Sequence, residues 1–189
     1  MMLDGRRKAI VADVMQQAEN LHPSAPARLA RTARGQRLAG FIYGTIVALS
    51  VIVAETRTYP DAPARMAVVV VGTCVVFWLA HVYAHGVARS VAEGNRVSVA
   101  ELGRIARREG SLVEAALPPV AALLLGALGI LSTSVAIWAA FALGLAVLAA
   151  QGVVFARLER LGALGTVAVV SANVALGLVL VALKVLLIH

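Results

Sequence analysis

Residues 112–155 read LVEAALPPVAALLLGALGILSTSVAIWAAFALGLAVLAAQGVVF, and the fold turns on how this stretch is understood. Its 44 residues carry one charge, Glu114, and one polar break, Ser132-Thr-Ser134 after Leu131. An α-helix rises about 1.5 Å per residue and a bilayer's hydrocarbon core is about 30 Å thick, so about 20 apolar residues cross it once. The stretch is too long for one crossing and right for two joined by a tight hairpin, with the turn at 131–134. Lipid leaves backbone polar groups no water to bond, so only helices and closed barrels span it. Barrel strands alternate in polarity, and these residues do not. The fold class is therefore all-α.

Working outward, three more apolar stretches appear, giving five expected spans at 38–56, 64–88, 112–131, 135–157 and 163–188. A chain that is 60% hydrophobic and only 14% charged, with mean hydropathy +0.87, is far from a soluble domain. Two regions follow: a basic arm over 1–37, and a five-helix transmembrane domain over 38–189 with a cytoplasmic helical connection at about 89–111.

Basic residues orient the spans. Arg6, Arg7, Lys8, Arg28, Arg31, Arg34 and Arg37 precede the first. Arg89, Arg96, Arg104, Arg107 and Arg108 follow the second, and Arg157 and Arg160 follow the fourth. The alternate connections hold only Arg57 and Arg65, and Lys184 near the last span's end can snorkel to the far surface. Cytoplasmic loops carry the Lys/Arg excess, which places the N-terminus inside and the C-terminus outside, in a cell (inner) membrane crossed several times. The net charge of +7 is then a topology signal and an attraction to anionic headgroups. Nucleic acid is not the expected partner, because the basic residues lack interleaved aromatics and abut membrane spans. The single cysteine, Cys74, excludes a disulfide framework and reads as a packing residue. No signal-peptide stretch precedes residue 37.

Outside the bilayer, residues 6–21 read as an amphipathic helix, with Ile10, Val11, Val14, Met15, Ala18 and Leu21 on one face. In the second connection, Ser98 and Glu101 have the spacing of a capping box, and Val97 with Leu102 that of a hydrophobic staple. They predict a helix over 99–109 that ends at Gly110. Leu102, Ile105 and Ala106 should face membrane or protein. This helix either organises a loop or forms a lid or ion-collecting element through Glu101 and Glu109.

Ionisable groups inside a membrane are costly and mark function by default. Counted from the cytoplasmic ends, Tyr43, Thr45, His81, His85, Glu114, Gln151, Ser171 and Asn173 fall in one layer, which suggests a cavity open to the cytoplasm. His81 and His85 share a helix face, a spacing that lets two imidazoles reach one metal ion or pass a proton. With Glu114 they form a nitrogen and oxygen set suited to zinc or iron; hydrogen-bonded structure is the alternative. Tyr43, Thr45, Gln151 and Asn173 are candidate cavity-lining groups, the amides also being able to join helix to helix. Glu55, at the other end of the first span, is either an outer exit ligand or an interfacial carboxylate paired with Arg57 or Arg65. Pro118-Pro119 should bend the third span. Gly126 and Gly129, Gly40 and Gly44, and Gly144 offer flat packing faces, and Gly40-x-x-x-Gly44 is a dimerisation-type motif.

The order of parts resembles the vacuolar iron transporter family of divalent-metal/proton exchangers. The likeness lies in Tyr43-Gly-Thr-Ile46, Ala80-His-Val-Tyr-Ala-His85, Glu114-Ala-Ala-Leu117 with Leu125-Gly-Ala-Leu128, and the segments 149–161 and 165–183. It implies five spans, a cytoplasmic N-terminus, a homodimer with an ion path near the paired first helices, and iron as cargo. The family's metal-handling Asp falls at Tyr43, and no Glu occupies the second-span position, so His81 and His85 would substitute by other chemistry. The chain is also similar to uncharacterised integral membrane proteins of high-GC bacteria. The expected function is thus a small transporter or channel for a divalent cation, protons or both. The alternative is a non-catalytic membrane organiser that binds lipid or partners. An enzyme is not expected, since no further nucleophile or ligand-rich motif accompanies the histidines. No phosphate-cradling loop is present, and no cofactor beyond a possible iron or zinc ion is implied.

Overall fold

Every regular element among the described residues, 25–188 of a computed structural model, is a helix. Expectations for the helix at 6–21 lie outside them. The chain divides into two compact units, 1–35 and 36–189. The helices are α1 Ala25–Thr58, α2 Pro63–Glu93, α3 Val99–Glu109, α4 Ser111–Glu114, α5 Leu117–Ala127, α6 Thr133–Leu158 and α7 Ala163–Ile188. Four of them are long and apolar enough to cross a membrane, or five crossings are possible if the bent pair α3–α4 and α5 counts as one span. The chain is a helical multi-pass membrane protein.

Local chemistry sets the boundaries. Pro63 occupies the first turn of α2, where its missing N–H costs no helical bond, and Gly94 ends that helix in the left-handed conformation with φ 64°. The capping box before α3 forms as the spacing predicts: Ser98 Oγ accepts from the Glu101 N–H and the Glu101 carboxylate accepts from the Ser98 N–H. Pro118 and Pro119 fall in the first turn of α5, and neither can donate to a carbonyl in the turn before. The axis bends there by 52°, so the third apolar stretch is a broken helix rather than a continuous one.

The hairpin turn sits earlier than the polar break suggested. Gly129 takes φ 74°, its N–H donating to the Gly126 carbonyl while the Ile130 N–H donates to that of Leu125. This is the Schellman ending, which favours a residue without Cβ. Gly129 is therefore a turn residue and not the packing glycine expected. Ser132 instead starts α6, accepting at 3.4 Å from the Val135 N–H.

Leu49 and Ile52 of α1, Met66, Val70 and Cys74 of α2, Leu112, Leu123 of α5, and Phe141 and Leu148 of α6 form the buried core. Small residues let the backbones approach. A Cβ at Gly144 would meet the Leu49 side chain at 2.6 Å, and one at Gly177 would meet Leu145 and Leu148. Gly40 and Gly44, read as a dimer seam, are occupied within the chain: Gly40 abuts Ser111 and Gly44 abuts the Leu112 backbone. At the other end of the bent pair, Gly126 lies against Ala136 and Pro63. The segment 111–127 thus runs from the level of Gly40 to the α1–α2 turn.

Candidate functional site

One face of α1 presents Gln36, Ala39, Gly40 and Tyr43 at three- and four-residue steps. Opposite them, α2 supplies His81 and His85, and α3–α4 supply Glu109 and Leu112; together these residues line a cavity of about 210 Å³. A second cavity of about 270 Å³ shares Gln36, His85 and Glu109 and adds Ala88, Arg89, Ile105 and Arg108. The two form a stepped vestibule at the end of the bundle where α2 finishes.

The imidazoles are held alike. His81 Nδ1 is 2.9 Å from the Phe77 carbonyl, and His85 Nδ1 is 2.9 Å from the His81 carbonyl. A carbonyl only accepts, so Nδ1 carries a proton in each ring. No partner among the described residues engages either Nε2. The rings lie 6.4 Å apart and 27° from parallel, and Tyr43 leans on His81 with centroids 5.5 Å apart. Glu109 Oε1 stands 3.8 Å from His85 Nδ1, beyond a hydrogen bond.

The remaining candidates disperse. Glu114 lines neither cavity; its carboxylate takes a 2.8 Å ion pair from Arg37. Thr45 is fully buried and donates back to the Phe41 carbonyl, so it serves the core. Gln151 is half-buried and lines neither cavity. Asn173 Nδ2 is 3.4 Å from the Leu148 carbonyl, the helix-to-helix use of an amide, where α7 meets α6. Glu55 pairs at 3.2 Å with Arg65, whose guanidinium also lies 3.5 Å over the Tyr59 ring. That cluster sits twelve residues beyond Tyr43 along α1, about 18 Å away.

Glu109 takes the place expected of Glu114. The signal was its position as the last residue of a capped helix, one turn from the segment that fills the α1 glycine face. Gln36 was legible as one helical face with Tyr43. Arg89 is committed to Glu93 at 2.8 Å and to Glu101 at 3.3 Å. Among the described residues, no three His, Cys, Asp or Glu side chains gather closely enough to hold a metal ion. No family model, curated protein or solved structure matches the chain.

Proposed function

We propose that this chain is a small membrane transporter or channel that moves protons, alone or coupled to a second solute, through a cytoplasm-facing vestibule built on His81, His85 and Glu109. The carrying observation is the pair of imidazoles one turn apart, each with Nδ1–H anchored on a helix carbonyl and Nε2 unengaged beside a cavity. In this reading a proton arrives at an Nε2 lone pair, and the resulting positive charge at His85 is balanced by Glu109. Tyr43 narrows the deeper cavity.

A resident iron or zinc ion fits this site poorly. Such sites need three or four protein donors converging on one point, and among the described residues no three His, Cys, Asp or Glu side chains do so. The outer cavity also carries the Arg108 guanidinium, which repels a divalent cation. We therefore place protons ahead of metal as the species moved. Neither Glu114 nor Glu55 enters the path, because an arginine holds each. Ser111 and Leu112 fill the glycine face of α1, so this reading does not use that face to pair two copies.

Five crossings, with the N-terminus cytoplasmic and the C-terminus outside a bacterial inner membrane, belong to the same proposal. The bent pair supports this count by extending from Gly40 to Pro63. The test is purified protein in liposomes containing a pH-sensitive dye, driven by a potassium diffusion potential. Wild type should acidify or alkalinise the lumen faster than empty liposomes. His81→Ala/His85→Ala should fall to the empty rate, while Glu55→Gln keeps the wild-type rate. Wild-type protein indistinguishable from empty liposomes, or a fully active double variant, rejects the reading.

A further inference from the structure

The largest cavity described lies on the other side of the α2–α3 hairpin from the histidines. It is a groove of about 430 Å³, within the range that takes small-molecule ligands. Leu79, Tyr83 and Val87 of α2 form one wall, and Val97 and Leu102 the other. The α2 wall is open to the surroundings, Tyr83 being 72% exposed. Gly86 makes the groove possible: a Cβ there would meet Leu102 Cδ1 at 3.1 Å. At the rim stands Arg96.

Arg96 differs from Arg89 and Arg104 in keeping its charge uncompensated. Arg89 pairs with Glu93 and Glu101, and Arg104 pairs with Glu101, which uses the acids of this turn. Arg96 has no ion pair or hydrogen bond among the described residues. A hydrocarbon slot that ends in one unneutralised guanidinium complements an acyl chain that ends in a phosphate, since guanidinium binds phosphate through two parallel hydrogen bonds. The slot is also cut into α2, a helix long and apolar enough to lie in the membrane.

We infer that this groove binds one anionic phospholipid from the surrounding bilayer, an acyl chain between Val87 and Leu102 and the headgroup phosphate on Arg96. The inference is independent of proton movement. Its test is native mass spectrometry of the full chain released from nanodiscs of equal phosphatidylglycerol and phosphatidylcholine. Wild type should retain one phosphatidylglycerol in preference. Arg96→Gln should lower that preference about fivefold, the weight of one basic residue against an anionic surface, and Arg96→Lys should keep most of it. Val87→Trp, which fills the slot, should abolish retention of both lipids, with circular dichroism verifying that each variant is folded. Overturning results are retention indifferent to Arg96→Gln, retention that survives Val87→Trp, absence of any bound lipid, or a dimer that Val87→Trp dissociates.

Discussion

At the level of single residues, the contrast between glycines carries the clearest energetic expectation. A Cβ at Gly44 runs into the Leu112 backbone, which cannot move without displacing α4, whereas one at Gly72 meets nothing within 4 Å. Gly44→Ala should therefore lower stability by about 1–3 kcal/mol, the usual cost of overpacking a closed contact. Gly72→Ala should be neutral or add about 0.5–1 kcal/mol through the smaller entropy loss of alanine in a helix. Thermal unfolding in detergent, followed by circular dichroism, compares the two. Equal midpoints would mean that α4 is not seated on α1. The sequence marks Gly44 as a packing position through Gly40-x-x-x-Gly44 but hides its partner, which lies 68 positions downstream. The histidine pair is the opposite case, since i and i+4 share a helix face whatever the tertiary structure.

At the level of the element, α3 is the part most fully written in the chain. Ser98 and Glu101 mark its start and Gly110 its end, and the observed Val99–Glu109 agrees with both. Ser98→Ala should cost α3 about 1 kcal/mol of local stability, read as faster amide hydrogen exchange over 99–105. The cap should also respond to pH. The Ser98 N–H does most to hold the Glu101 carboxyl below the ordinary carboxylate range, and Arg89 and Arg104 add to it against an opposing desolvation. A depressed folded value means that the stabilisation is complete above the unfolded range, about pH 4–5, and disappears as pH falls through the depressed value. The protection of the α3 amides, measured against the intrinsic exchange rate at each pH, should fall on acidification in wild type, and Glu101→Gln should remove that dependence. An acid response unchanged in Glu101→Gln would place its origin elsewhere. Less of α5 was legible. The Ser-Thr-Ser run looked like the turn because it is polar, yet Gly129 does the turning and Ser132 caps the next helix. The sequence offers Glu109 as an ion-collecting group of α3 but not as the neighbour of His85, because that approach depends on how α3 and α4 run together into the α1 glycine face.

For the whole molecule, the decisive matter is whether the bent pair crosses the bilayer or returns to the side it entered from. By itself α5 is 11 residues, about 16 Å, short of a 30 Å core. Joined to α4 it reaches from Ser111, beside Gly40, to Gly126, beside Pro63. Those two levels of α1 and α2 are separated by roughly 27 Å of helix, close to one membrane thickness. The charge pattern points the same way. A crossing puts Arg157 and Arg160 on the side of Arg89, Arg96, Arg104, Arg107 and Arg108, whereas a re-entrant segment would put them opposite, against the positive-inside tendency. Single cysteines in a Cys74→Ala background decide between these arrangements, Cys74 being the chain's only thiol. Asn95→Cys reports on the α2–α3 turn, Ile130→Cys on the α5–α6 turn and Arg160→Cys on the α6–α7 turn. A membrane-impermeant maleimide added to intact cells should label position 130 and leave 95 and 160 untouched until the membrane is opened. Labelling of 160 but not 130 would make the pair re-entrant. The inner excess of arginine would then no longer account for the topology, and the C-terminus would move to the side of the vestibule.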